Sequence, residues 1–236
     1  MRLLISPPKE DPPRAETMIK LVVFDWNGVL IEDVVATVAV DKQVFKAFGH
    51  KPINLKRYQE IFTMPVKDFF IAAGFTKAEM DKNAVRIQEM FHKLYESRIA
   101  KIRTRTGAKK LLAFLEERGI DAVILSNHTK ESITSHLKRL GIEKYFSRVI
   151  ANDIHATMQT KNKAQKLVEV VRTSSHKKGE MLIIGDSVEE IEAARASGIR
   201  AVSITGGYYS ERRLREAKPD HVIHNLQDLI PIIKAL

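Results

Sequence analysis

The sequence predicts a doubly wound, Rossmann-like parallel α/β sheet with an all-helical block inserted after its first strand. Three observations lead there. Near-continuous apolar runs read as strands buried on both faces, helical patterns alternate with those runs, and one stretch of about 70 residues breaks the alternation.

The chain has 236 residues, enough for one large domain or two modest ones. Residues 1–18 carry four prolines by Pro13 and read as a loose extension. They lack the basic start and long apolar core of a secretory signal, and Met18 offers an alternative start just before the first strand. That strand is "KLVVFD", residues 20–25, and it runs into the polar turn "WNG".

From Glu32 to Arg103 only helical patterns follow: "VVATVAVDKQVFKAFG", "LKRYQEIF", "PVKDFFIAAG" and "TKAEMDKNAVRIQEMFHKLYESRIAKI". This is far too long for an ordinary loop, so residues 33–103 are expected to form a helical cap on a core of 19–32 and 104–236. The insertion leaves the sheet beside Asp25. It would therefore overhang the carboxyl ends of the strands, where such sheets bind ligands.

After the insertion the alternation resumes. "GAKKLLAFLEERG" sets Leu111, Leu112 and Leu115 on one helical face and leads into the strand "DAVILSN", 121–127. The helix "KESITSHLKRLG" precedes a weaker strand, "SRVIAND", 147–153, and "KNKAQKLVEVVR" precedes "MLIIGD", 181–186. "SVEEIEAARASG" leads to "AVSITGG", 201–207, and "SERRLREAK" leads to a second weak strand, "HVIH", 221–224. Several of these helices end at glycine, as helix C-termini often do.

Composition narrows the class. A hydrophobic fraction of 44% and a charged fraction of 29% are ordinary for a globular protein, and no apolar run approaches the roughly 20 residues that cross a bilayer. With no cysteine, disulfides, thiolate metal sites and cysteine nucleophiles are excluded; a cytoplasmic location is expected. The net charge is +10, densest between Asp33 and Arg105, where 14 Lys and Arg face 8 Asp and Glu. Runs such as "RTRTGAKK" and "ERRLREAK" read as solvated helix faces, while the field as a whole suits small anions. Nucleic acid is not the expected partner, nor is a membrane, and the chain is expected to be a monomer or homodimer.

Three strand ends bring polar groups to one edge: Asp25 and Asn27, Ser126 and Asn127, Asp186 and Ser187. A lysine, Lys161 or Lys163, opens the helix before the last pair. Two carboxylates with backbone carbonyls suit Mg²⁺, and a lysine, a hydroxyl and the turn amides around Gly28 suit phosphate oxygens. Taken singly, each residue has a plain structural role. Aspartate at a strand end is a common turn former, Ser126 and Asn127 suit a turn, and Asp186 or Ser187 could cap a helix whose first turn holds Glu189 and Glu190. It is their order along the chain that points to phosphoryl transfer.

"FDWNGVLIED", "VILSNHT", Lys161 and "IIGDSVEEIEAARASGI" resemble the four ordered motifs of the haloacid dehalogenase-like hydrolases. "IRAVSITGGYYSERRL" is similar to the segment after the fourth motif in the phosphoglycolate phosphatase-like branch. The resemblance spans the chain after Ile19, helical cap included. It implies that Asp25 is the nucleophile, forming an aspartyl-phosphate that water hydrolyses, and that its other oxygen binds Mg²⁺. It further implies the Asn27 carbonyl and Asp186 as metal ligands, with Glu190 binding directly or through water, and Ser126, Asn127, Gly28 and a lysine around the phosphate. Lys161 is preferred over Lys163 because it follows the "HATMQT" loop at a family-like separation from Asp186. The implied substrate is a small phosphorylated metabolite, phosphoglycolate-like or another phosphomonoester.

Asn27 departs from the pattern. Phosphatases of the family carry a second aspartate there as general acid and base, and an amide cannot shuttle a proton at neutral pH. General acid-base catalysis is worth about 10² to 10⁴ in rate, so a slow enzyme favouring good leaving groups is expected. His128, beside the second motif, and residues of the cap are candidate substitute acids, a lone histidine being more often structural. Two other readings stay open: a binding module with weakened catalysis, and a phosphorus–carbon hydrolase using a cap lysine such as Lys51 or Lys56.

Overall fold

Leu21–Phe24 forms β1, and all four of its side chains are buried. In the computed structural model, which describes residues 18–153 and 163–236, β1 lies at the centre of a six-stranded parallel sheet. The proposed extension up to Thr17, and Lys161, lie outside the described residues.

The elements follow in chain order as α1 (Val34–Ala47), α2 (Leu55–Ile61), α3 (Val66–Ala72), α4 (Lys77–Ile99), α5 (Ala108–Glu117), β2 (Asp121–Thr129), α6 (Lys130–Leu140) and β3 (Arg148–Asn152). Then come α7 (Lys163–Thr173), β4 (Met181–Gly185), α8 (Val188–Ser197), β5 (Arg200–Ile204), α9 (Glu211–Glu216), β6 (His221–Ile223) and α10 (Leu229–Ala235). The strand order is β3-β2-β1-β4-β5-β6. Its direction of winding reverses on either side of β1, and the crevice at such a switch point is where this architecture binds ligands.

Side-chain chemistry accounts for these elements. Strands β4 and β5 are buried at every position, as a parallel sheet covered on both faces requires. The leucine face of α5 is buried as its spacing predicts. Ser187 caps α8, whose C-terminal turn closes at Gly198 with φ +73, a conformation other residues rarely adopt. Helix α10 carries no distinct signal in the sequence; its short "LIPIIKA" run packs near α5.

Helices α1 to α4 occupy the stretch between β1 and α5, with α1 packed along α4. Their interior is aromatic: Phe45 contacts Phe69, Phe70 and Phe75, and Tyr58 contacts Phe69. The two connections to the core are tied to each other. Ile31 bridges Thr104, and Glu32 N donates to Arg103 O at 3.2 Å. Arg105 fastens the same point by donating to the carbonyls of Gly28 and Thr205.

Candidate active site

Where β1 ends, Asp25 is 5% exposed and its carboxylate stands between two donors. Its Oδ1 accepts from Trp26 N at 2.7 Å, and its Oδ2 lies 2.9 Å from Lys163 Nζ. Lys163 opens α7 and reaches across to Glu190 Oε1 at 2.5 Å. Glu190 serves α8 as well, its Oε2 accepting from Ser187 N at 2.9 Å and Ser187 Oγ at 2.5 Å. The structural reading of "GDSVEE" as a helix cap therefore holds together with its position at the site.

Asp186, at the end of β4, completes the acidic group. One carboxylate oxygen from each of Asp25, Asp186 and Glu190 lies within 4.8 Å of the others. Burial pushes Asp25 up to about 7 against the pull of Lys163. Burial, reinforced by the charges of Asp25 and Glu190, carries Asp186 well above the ordinary carboxylate range. Three buried acids facing one lysine cannot all ionise without a further positive charge, and oxygen donors at this spacing suit a hard divalent cation.

Neighbouring backbone shapes the group. Tyr208 N donates to Asp186 Oδ2 at 2.6 Å. Gly28 has φ +69, and a Cβ there would collide with the Asp186 carboxylate, as would one on Gly207. Glycine is needed at both positions because backbone passes directly against an acid.

From β2, Ser126 and Asn127 join the same cavity as Asp25, Asn27, Lys163 and Asp186. Ser126 Oγ accepts from His128 N at 3.1 Å. Lys166 holds this strand end from α7, donating to Ser126 O at 3.0 Å and to Asn152 Oδ1 at 2.5 Å. Asn152 in turn donates to Asn127 O at 2.6 Å.

The structure bears differently on two of the expected phosphate contacts. The Gly28 amide, assigned to phosphate on the sequence, donates to Asp33 Oδ1 at 2.8 Å, because the turn folds back over the start of α1. The preferred Lys161 lies outside the described residues, whereas its alternative, Lys163, is in contact with Asp25. Lys51 is exposed and so is Lys56; neither lines the cavity.

Asn27 is held by residues that the sequence did not single out. Its Nδ2 donates to Asp33 Oδ2 at 2.7 Å and to Tyr95 OH at 2.8 Å. The Tyr95 and Tyr208 hydroxyls each donate to Asp33 Oδ2 at 2.7 Å. Asp33 is wholly buried, so these donors replace water around it. No local signal links Tyr95 and Tyr208 to the opening motif; they come from α4 and from beyond β5. The helical block and the segment after β5 line, together with the acidic group, a cavity of about 160 Å³ to which Phe62, Phe70, Phe91, Tyr95, Tyr208 and Tyr209 contribute aromatic rings.

Residues 22–204 match the family model described as haloacid dehalogenase-like hydrolase. The chain is similar to the phosphoglycolate phosphatase of Pseudomonas fluorescens, with 27% identity over 90% of this chain and 79% of that protein. It is 24% identical to that of Synechococcus elongatus over 92% of this chain and 99% of that one. Among solved structures, a haloacid dehalogenase-like family protein of Streptococcus pneumoniae superimposes with a TM-score of 0.76 at 20% identity, covering 91% of this chain and 98% of that one.

Proposed function

The chain belongs to the haloacid dehalogenase-like hydrolases, and from that premise we propose that it is a Mg²⁺-dependent phosphatase acting on a small phosphomonoester through an aspartyl-phosphate on Asp25. The observation that carries this reading is the buried group of Asp25, Asp186 and Glu190 around Lys163. Relatives named phosphoglycolate phosphatase support the reaction class.

Asp25, Asp186 and the backbone carbonyl of Asn27 would hold the cation, with Glu190 beside them. Once bound, Mg²⁺ supplies charge neutralisation for the acids and the phosphoryl oxygens. Lys163 takes the lysine role: between Asp25 and Glu190 it orients the nucleophile and offers its ammonium to the phosphoryl group. Ser126 and Asn127 face the same space from β2. Asp25 attacks phosphorus in line as the ester oxygen departs, and water then opens the acyl phosphate, returning the carboxylate and phosphate.

The helical block, residues 33–103, acts as the cap. Its paired connections at Glu32 and Arg103 are the proposed hinges, and closure removes the reacting groups from water. Asn27 gives the leaving oxygen no acid, so turnover falls as leaving-group basicity rises. Trapping phosphate or beryllofluoride on Asp25 with Mg²⁺, read by mass spectrometry and lost in Asp25→Asn, tests the reading. Binding of a phosphorylated ligand without trapping would instead support a non-catalytic module.

A further inference from the structure

Asp41 is a buried acid that the proposed chemistry does not use. It lies in α1 on the wall of the cavity that also contains Asp25, and it is 4% exposed. Its Oδ2 accepts from Tyr58 OH at 2.9 Å, while its Oδ1 is buried with no hydrogen-bond partner among the described residues. No Lys or Arg of the described cap residues reaches this wall: Lys163, from the core, is the one such side chain lining the cavity among the described residues.

A carboxylate in an apolar setting is costly unless something compensates its charge. Burial alone pushes Asp41 up to about 7, with only Tyr58 acting against it. The surrounding wall is rich in aromatic rings, whose electron-rich faces attract organic cations. Its rings come from the cap, as Tyr58, Phe62, Phe70, Phe91 and Tyr95, and from Tyr208 and Tyr209 after β5, of which Tyr208 also touches Asp186 through its backbone amide. The cavity of about 160 Å³ is shared with the phosphate site around Asp25 and Lys163, so the body beside Asp41 has to be compact.

The geometry points to a phosphomonoester whose alcohol carries one compact organic cation, an ammonium or substituted ammonium, held by Asp41 and the aromatic wall. This substrate class rests on the phosphatase reading above. It disfavours a glycolate-like body: a carboxylate under the cap would meet Asp41 and no Lys or Arg of the described cap residues, with the imidazole of His92 as the one titratable base that the described cap residues add to the lining. Asp41 is thus a specificity residue for the body of the substrate, distinct from the groups that handle its phosphate.

A charge series of primary alkyl phosphates tests it with Mg²⁺ and the full chain: phosphocholine, its neutral isostere 3,3-dimethylbutyl phosphate, and phosphoglycolate. Acetyl phosphate, which has no body to recognise, reports the basic reaction. The expected result is a kcat/KM for phosphocholine about 10-fold or more above both others, the range of a desolvated cation on aromatic faces. Asp41→Asn, which keeps an acceptor for Tyr58 and removes the charge, should narrow the ratio of phosphocholine to its isostere to within about threefold. Taking that ratio in both proteins cancels leaving-group differences. Equal use of the isostere, preference for phosphoglycolate, or a ratio unchanged in Asp41→Asn overturns the substrate class while acetyl phosphate turnover upholds the phosphatase. If acetyl phosphate is not turned over, both fall. Should Asp41→Asn fail to fold, the series in the parent protein decides alone.

Discussion

Asn27 Nδ2 stands 2.7 Å from Asp33 Oδ2, so the amide at the place of the family's acid is a donor to a wholly buried carboxylate. Restoring aspartate at position 27 would set two carboxylates against each other, and they could not both ionise without cost. One would retain a proton near neutral pH, which is what a general acid requires. Asn27→Asp is therefore expected to raise kcat on alkyl phosphates by about 10- to 100-fold, within the usual range for acid catalysis. It should also destabilise the fold by about 1 to 3 kcal/mol through the lost hydrogen bond. Adding Asp33→Asn should recover much of that stability, and a double-mutant cycle by denaturant unfolding measures the coupling. Unchanged turnover on alkyl phosphates in Asn27→Asp would show that the missing acid does not limit the rate.

Lys163 Nζ bridges Asp25 Oδ2 and Glu190 Oε1. Lys163→Met is expected to lower kcat/KM by about 10² to 10³, the usual loss when one preorganised electrostatic partner is removed. Without a cation it should also melt lower, because truncating one member of a buried ion group leaves charge unpaired. If Lys163 is the lysine of the site, Lys161→Ala should change kcat/KM by no more than about threefold, far less than Lys163→Met. Steady-state kinetics on both variants separates the two lysines, and the reverse ranking would return the role to Lys161.

Most of the architecture was legible because strand burial and helix spacing are local properties. "KLVVFD" and "MLIIGD" announce buried strands whatever lies beside them, and the strandless stretch after Glu32 could only be an insertion. Asp25, Ser126 and Asp186 were findable for the same reason, each sitting at the end of a recognisable element. Asp33, Asp41, Tyr95 and Tyr208 were not, since their meaning depends on contacts between residues 17 to 175 positions apart. The lysine is a question of three-dimensional reach as well: two lysines at the start of one helical pattern look alike in sequence, and the contact of Lys163 with Asp25 is what makes it the proposed one.

Three carboxylates within 4.8 Å of one another make cation binding visible in stability. A ligand that binds only the folded state stabilises it by about 2.7 kcal/mol at a hundredfold excess over Kd. For a chain of this size that corresponds to a rise in Tm of roughly 5 to 10 °C. Mg²⁺ titration followed by calorimetry should show this rise in the parent protein, and Asp186→Asn should abolish it. A parent Tm indifferent to Mg²⁺ up to millimolar concentration would remove the cation from the site.

Asp41 gives the fold a pH dependence of definite sign. Its carboxyl has an ordinary value of 3.8 and is pushed up to about 7 by burial in the folded protein. Below pH 4 it is protonated in both states, and its contribution to stability is fully present. Between pH 4 and 7 the unfolded chain releases the proton while the folded one keeps it, so stability falls; above 7 the loss is complete. At about 1.4 kcal/mol per pKa unit the loss is on the order of 4 kcal/mol. Asp41→Asn cannot titrate and retains an acceptor for Tyr58, so it should match the parent near pH 4 and exceed its stability at pH 8. Denaturant melts of the two proteins across that range isolate Asp41, because the other titrating groups are common to both. Parallel curves, or a parent that gains on the variant as pH rises, would mean that Asp41 is ionised and compensated in the folded state.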